Sequence, residues 1–289
     1  MRVLVTGASG MLGSDVLRAG RRAGYEVLAR AHSELDVADP EAVAAALGAA
    51  KPDAVVNCAA WTDVDGAESH RAQAQAVNTE GAGNVAVAAA AQGVQLVHVS
   101  TDYVFAGDAP RDVAGTRRAY VESDPTGPRS VYGETKLAGE RLVLAASRRH
   151  TVVRSSWLFG VDGGNFVATM LRLAGEREAV QVVTDQVGSP TWTGHLAPAL
   201  LGLIAREVAG LVHLAGAGRV SWNGFAREIF RQAEAACRVE PVTTSVLARP
   251  APRPSWSALE SERDDVLALP DWRDGLAGYL AARAGMMRA

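Results

Sequence analysis

The chain opens on a short apolar run, Val3-Leu4-Val5, that leads directly into Gly7-Ala8-Ser9-Gly10-Met11-Leu12-Gly13. No other stretch restricts the fold as much. A run without polar alternation reads as a strand covered on both faces, as in a parallel sheet with helices above and below. Glycines three apart permit a tight turn into a helix and let backbone N–H groups approach a dinucleotide pyrophosphate at the helix start. The first two glycines stand one residue further apart than in the usual fingerprint. A helix-start turn that holds no ligand fits the same triplet.

The chain then repeats the unit. Apolar runs at 26–30, 54–58 and 95–100 read as strands, and Ala-rich stretches between them read as helices. Asp39-Pro40-Glu41 carries an N-cap followed by proline at the first helical position. A long helix is expected over 77–92, with Asn78 hydrogen-bonded to the backbone of a neighbouring strand. The expected fold is α/β, a Rossmann-like doubly wound parallel sheet, with a smaller mixed α/β C-terminal domain for substrate. Residues 1–156 are expected to form the NAD(P)-binding domain and 157–289 mainly the substrate domain, with part of 175–200 returning to the first. Within the second half, 166–175 and 193–206 read as helices and 180–183 and 211–214 as strands. The stretch 222–236 is amphipathic, 249–254 is a Pro-rich loop, and Pro270-Asp271-Trp272 starts a last helix.

An NAD site usually ends its second strand with an acidic residue for the ribose hydroxyls. Here the strand ends in Arg30-Ala31-His32-Ser33, and Glu34 comes late. Arg30 suits a 2′-phosphate, so NADPH is favoured and NADH stays open; a solvated arginine is the plain alternative. Asp36-Val37 stands where a short third strand could end beneath the adenine. Ala59-Ala60-Trp61 follows the strand at 54–58, with small residues that let the backbone pass close to a ligand.

Composition removes several classes. A formal net charge of −3 lacks the basic excess of a nucleic-acid binder, and apolar runs are too short to span a membrane. Cys58 and Cys237 make neither a disulfide framework nor a metal site. Asp63-Val64-Asp65-Gly66-Ala67-Glu68 resembles part of a calcium loop but lacks its terminal Glu, so no metal is expected there. The chain begins with strand-like residues rather than a signal peptide, and a cytoplasmic location is expected.

Chemistry concentrates later. Tyr132 and Lys136 stand four apart in Tyr132-Gly133-Glu134-Thr135-Lys136, on one face of an expected helix. A phenol titrates near pH ~10 unless a cation favours its anion, and Lys136 could supply that cation. Ser100, Thr101 and Asp102 end the strand at 95–100, facing the crevice where open α/β sheets bind ligands.

Together these residues resemble the extended short-chain dehydrogenase/reductases. Longer strings are similar to the dTDP-4-dehydrorhamnose reductase family: Ser100-Thr101-Asp102-Tyr103-Val104-Phe105, Val131 through Glu140, Arg154-Ser155-Ser156-Trp157 and Asp185 through Thr191. Asn165-Phe166 and Arg253-Pro254 also fit, and the resemblance runs to about residue 275.

The resemblance implies reduction of a dTDP-linked 4-keto-6-deoxy sugar to dTDP-L-rhamnose. It implies that the glycine loop with Met11 and Leu12 binds pyrophosphate, Asp36 and Val37 the adenine, and Ala59, Ala60 and Trp61 the ribose region. Lys136 would bind the nicotinamide ribose and lower the Tyr132 pKa, while Tyr132 protonates the sugar oxygen. Thr101 would orient that oxygen, Asp102 and Trp157 contact the sugar, and Arg253 the diphosphate. Related dehydratases carry Thr-Asp-Glu at this strand end, and Tyr103 here argues against dehydration. Some relatives bridge a dimer with magnesium; Asp15 matches one ligand, yet Gly194-His195 stands where another carboxylate is expected. Magnesium is therefore left open, as is monomer against homodimer. Two other readings remain: a reductase or epimerase of another nucleotide 4-keto sugar, and a non-catalytic subunit like the regulatory one of methionine adenosyltransferase.

Overall fold

A computed structural model describes residues 1–286; the last three positions of the expected 157–289 segment lie outside the described residues. Strands β1 (Arg2–Thr6), β2 (Glu26–Arg30), β3 (Ala54–Asn57), β4 (Gln95–Thr101) and β5 (Thr151–Ser155) form one parallel sheet with an edge strand Gly210–His213. The order across it is Gly210–His213, β5, β4, β3, β1, β2. From β1 the chain first moves outward to β2, then crosses back to lay β3 on β1's other side. That reversal opens a crevice at the carboxyl ends of β1 and β3. The sheet is the α/β Rossmann-type fold expected.

Both faces of the sheet are covered, which is why its central strands are apolar in their middles; Val3, Leu4, Val5, Val55 and Val56 are fully buried. One face packs against helices Met11–Arg22 and Thr193–Ala205, joined through Val16, Leu196 and Leu200. The other packs against helices Pro40–Ala50 and Ala82–Ala91. A separate aromatic core around Phe159, Phe225, Trp272 and Tyr279 holds helices Phe166–Glu176, Trp222–Gln232 and Trp272–Met286. The chain comes back to the main sheet with helix Thr193–Ala205, which begins within the 175–200 stretch expected to return, and with strand Gly210–His213, which lies beyond it.

Two local expectations change. No strand forms at Asp36-Val37: β2 is the sheet edge, and the Glu34 and Asp36 carboxylates accept the N–H groups of Ala31 and Ala38 to close turns. The helix expected over 77–92 is interrupted by a π-helical turn, Ala76–Gly81, between Arg71–Gln75 and Ala82–Ala91. Its wider path carries the Asn78 amide into the loop after β3 rather than onto a strand. No described helix is long and apolar enough to cross a membrane.

Candidate active site

The glycine turn is built from missing side chains. Gly7 has φ +63°, and a Cβ there would stand 2.6 Å from the Ala59 nitrogen. At Gly13 it would stand 2.3 Å from the Gly7 oxygen. The end of β1 is thereby pressed against the end of β3. Gly10 caps helix Met11–Arg22 without a side-chain hydrogen bond, and its first turn holds no acidic residue. The N–H groups of Met11, Leu12 and Gly13 thus lack intrahelical partners and side-chain competition, so this helix start fits a pyrophosphate.

Neighbouring segments frame the turn. Ala8 N–H donates to the Arg30 carbonyl at 3.1 Å, which sets Arg30 beside the glycines, its guanidinium on Ala29 O. Val37 is buried beneath Gly81, while Asp36 is exposed. The Trp61 backbone is held at both ends by Asn78, its N–H donating to Oδ1 at 2.9 Å and its carbonyl accepting from Nδ2 at 3.2 Å. Sequence reasoning missed this clamp on the Ala59-Ala60-Trp61 loop.

Helix Val131–Ala146 starts at Ser130, whose hydroxyl accepts Gly133 N–H at 3.2 Å. A Cβ at Gly133 would lie 2.2 Å from Tyr103 O, so the helix start rests directly on the 3-10 turn Asp102–Val104. That contact sets Tyr132 edge-to-face with Tyr103, ring centres 5.4 Å apart, at the end of β4 that carries Thr101. Further along the helix, Glu140 accepts Arg154 in two hydrogen bonds of 2.9 and 2.7 Å and Ser100 Oγ–H at 2.5 Å, all buried. Strands β4 and β5 thereby fix the helix in register.

Burial shifts three titrating groups here. It pushes the Tyr132 phenol up to about 12, with the Asp102 charge adding and the nearby Thr101 hydroxyl opposing. The resemblance implied a lowered phenol, but Lys136 is not aimed at it. Its Nζ is buried, donating to Val99 O at 2.7 Å and standing 3.3 Å from His98 Nε2. Burial lowers Lys136 itself to about 8. Asp102 is buried too, which raises its carboxyl to about 6. Its Oδ1 accepts from Thr101 Oγ at 3.2 Å, while Oδ2 has no partner and Ser257 Oγ approaches without hydrogen-bond geometry.

Beyond Tyr103 lies a cavity of about 440 Å³, lined by Trp157, Met170, Gln186, Trp222 and Arg253 among others. Trp157 takes φ +48°, rare for a bulky residue, and stacks on Trp222 at 3.5 Å. A Cβ at Gly188 would strike the Trp157 ring at 2.4 Å. Arg253 Nη2 donates to Asp65 Oδ2 at 2.8 Å, so the Pro-rich loop is pinned to the short helix after β3. Trp222 and Asp65 were not candidates from sequence, because nothing local marks either.

Asp15 does not fit a magnesium ligand. Its Oδ1 accepts Arg18 at 2.7 Å and its Oδ2 accepts the Thr193 hydroxyl, while His195 packs edge-on against Trp192. Among the described residues, no cluster of His, Cys, Asp and Glu is arranged to hold a metal ion.

The RmlD substrate binding domain family matches residues 1–284. The chain belongs to this family. A dTDP-4-dehydrorhamnose reductase from Streptomyces griseus is 45% identical, with 98% of this chain and 94% of that one covered. A protein from Streptomyces antibioticus named "Probable dTDP-4,6-dihydroxy-2-methyloxan-3-one 4-ketoreductase" is 43% identical, with 96% and 93% covered. The crystal structure of dTDP-4-dehydrorhamnose reductase from Bacillus anthracis in complex with NADP superposes with TM-score 0.92 at 37% identity, covering 97% of this chain and 99% of that one. Family membership thus extends over both sides of the crevice, from the glycine turn to the last helix.

Proposed function

We propose that the protein reduces dTDP-4-dehydro-β-L-rhamnose to dTDP-L-rhamnose with NADPH. One observation carries the reading: Tyr132 packs edge-to-face on Tyr103, a wall of the aromatic cavity, right after the carboxyl end of β4 where Thr101 and Asp102 stand. Bound NADPH would supply the hydride to the ketone carbon. Gly7, Gly10, Met11, Leu12 and Gly13 would hold its pyrophosphate, Arg30 its 2′-phosphate, and Asp36, Val37, Ala59, Ala60 and Trp61 its adenosine side. The cofactor side would be built mainly from residues 1–156 and the sugar side mainly from 157–289.

Tyr132 would give its proton to the sugar oxygen, oriented by Thr101. A phenol raised to about 12 stays protonated at neutral pH, as a proton donor must. Lys136 would become the cation beside it on reaching the crevice. Asp102 and Trp157 would contact the sugar and Arg253 the diphosphate, for which Arg253 must loosen from Asp65. The decisive experiment incubates the protein with dTDP-4-keto-L-rhamnose and NADPH and identifies the product. Tight cofactor binding without turnover on several nucleotide keto sugars would instead favour a binding subunit. A second substrate class, another dTDP-linked 4-keto sugar, is favoured by the Streptomyces antibioticus relative, and the same assay run on that sugar separates the two.

A further inference from the structure

A buried chain of polar side chains runs from β1 to helix Val131–Ala146, and proton geometry alone fixes its order. Ala59 N–H donates to one end of the Asn57 amide at 3.0 Å. A backbone N–H can only donate, so that end is the oxygen, and it also accepts Thr6 Oγ–H at 2.7 Å. The Asn57 NH2 group must then face His98 Nδ1, 3.1 Å away. Since an amide nitrogen only donates, Nδ1 accepts, and a neutral His98 carries its proton on Nε2. That Nε2–H points at Lys136 Nζ, 3.3 Å away.

An ammonium has three donors and no lone pair, so it would meet Nε2–H donor to donor. An amine has one lone pair to accept Nε2–H and an N–H left for Val99 O at 2.7 Å. Turning the His98 tautomer round does not help, because Nδ1–H would then face the Asn57 NH2 group. We propose that Asn57 and His98 are positioning residues for Lys136: their fixed proton order seats the side chain as an amine and releases it as an ammonium.

The Glu140 charge favours an ammonium at the seat, but burial outweighs it. Glu140 is spent on Arg154 and Ser100, Glu68 on Val131 N–H, and Arg71 pairs with Glu134 at the surface. The Cys58 thiol is pushed up to about 12 by burial and stays neutral, Asp102 lies with Thr101, and His98 is held well below its ordinary value by burial. Burial likewise brings Lys136 to about 8, in agreement with the seat. Below that pH the side chain is charged and leaves the seat for the crevice, beside Tyr132. Above it the amine stays seated and the phenol loses its cation. The consequence for turnover rests on the reductase reading; the seat itself does not.

The chain suits a direct test, because Lys51 and Lys136 are its only lysines and Lys51 is exposed. Protein labelled with 13C at lysine Cε, free of cofactor, gives two resonances to titrate. The wild-type Lys136 signal is expected to titrate near 8. Asn57→Asp offers only acceptors, turns the His98 tautomer and presents a lone pair to Lys136. Its Lys136 midpoint should rise by about one unit or more toward the ordinary lysine value. His98→Gln can turn an amide oxygen to Lys136 and should raise it in the same direction, which keeps the test open if the first variant does not fold. Loosened packing would hydrate the amine and also raise the midpoint, so each variant is compared with His98→Leu, which offers no acceptor and should leave the midpoint low. A wild-type Lys136 that titrates at the ordinary lysine value of about 10.4, or a midpoint unmoved by the first two substitutions, overturns the proposal. In the reductase assay kcat/KM of both variants should fall across the pH range, because their seat holds the ammonium that the wild type releases. Shifted midpoints with no sugar turnover even in the wild type would keep the seat and remove the reductase reading.

Discussion

The cofactor side and the sugar side of the crevice are made from different material. The first is a backbone device: within seven consecutive residues, Gly7 and Gly13 succeed because a Cβ would collide with main-chain atoms. The second is a side-chain device, with Tyr103, Trp157, Met170, Gln186, Trp222 and Arg253 converging from segments far apart in sequence. Backbone contacts have no smaller residue to fall back on, whereas a side-chain wall can be repacked one position at a time. Relatives named for different dTDP-linked substrates match nearly the whole chain at 45% and 43% identity, as a constant frame with a variable wall would allow.

Substitutions can break or sharpen that contrast by asking which kinetic constant moves. The largest effect is expected at the seam, where Tyr132→Phe removes the proposed proton donor and neither wall. Turnover should fall by roughly 10²–10⁴-fold while NADPH binding, followed by fluorescence, stays near wild type. Survival of near wild-type turnover would exclude Tyr132 as the acid. Next comes Gly13→Val, which drives a branched side chain into Gly7 O. NADPH affinity should drop by about 10²-fold and stability by about 1–3 kcal/mol, while sugar binding measured on the free protein changes little. If sugar binding falls equally, the two sides are not separable.

The same contrast explains what the sequence could reveal. The glycine turn was legible because its physics is local: a strand, three glycines and a helix in one stretch. Tyr132 and Lys136 were legible as a pair on one helix face, and Thr101 and Asp102 as a strand end. What the sequence hid was direction. Lys136 turns inward because His98, 38 positions earlier, points across from β4, and no spacing rule links them. Asn78 was read as part of a regular helix because a π-helical turn has no compositional mark. Trp222 and Asp65 gained their places only when the aromatic core and the Pro-rich loop closed on the sheet.

Smaller effects test each wall separately. Arg30→Ala should weaken NADPH roughly ten- to a hundredfold, the worth of about 1.5–3 kcal/mol for a charged hydrogen bond, and leave NADH almost unchanged. Equal loss for both cofactors would remove Arg30 from the 2′-phosphate. Trp222→Leu keeps apolar volume and removes the ring stacked on Trp157 at 3.5 Å. The KM for the sugar should rise by about tenfold with the NADPH constant unmoved, since an aromatic pair is worth about 0.5–1.5 kcal/mol. A raised NADPH constant would mean that the aromatic wall supports the cofactor side as well.

Asp102 is the finest test, because it belongs to both descriptions. Its carboxyl is buried with Oδ2 unpartnered, an arrangement that a purely structural residue would not retain. Burial raises it to about 6 from an ordinary 3.8, so its folded pKa lies above the unfolded one. The protonated form therefore favours the fold below pH ~4, and that advantage is lost as pH rises through about 6. Asp102→Asn cannot ionise and should stabilise the protein at pH 8 by about 1–3 kcal/mol, with the gain gone by pH 4. Sugar turnover should fall at the same time, since a group kept at a cost to stability is kept for what it binds. Denaturation midpoints at the two pH values decide it: a variant less stable than wild type at pH 8 would make Asp102 part of the scaffold that holds Thr101 rather than part of the sugar wall.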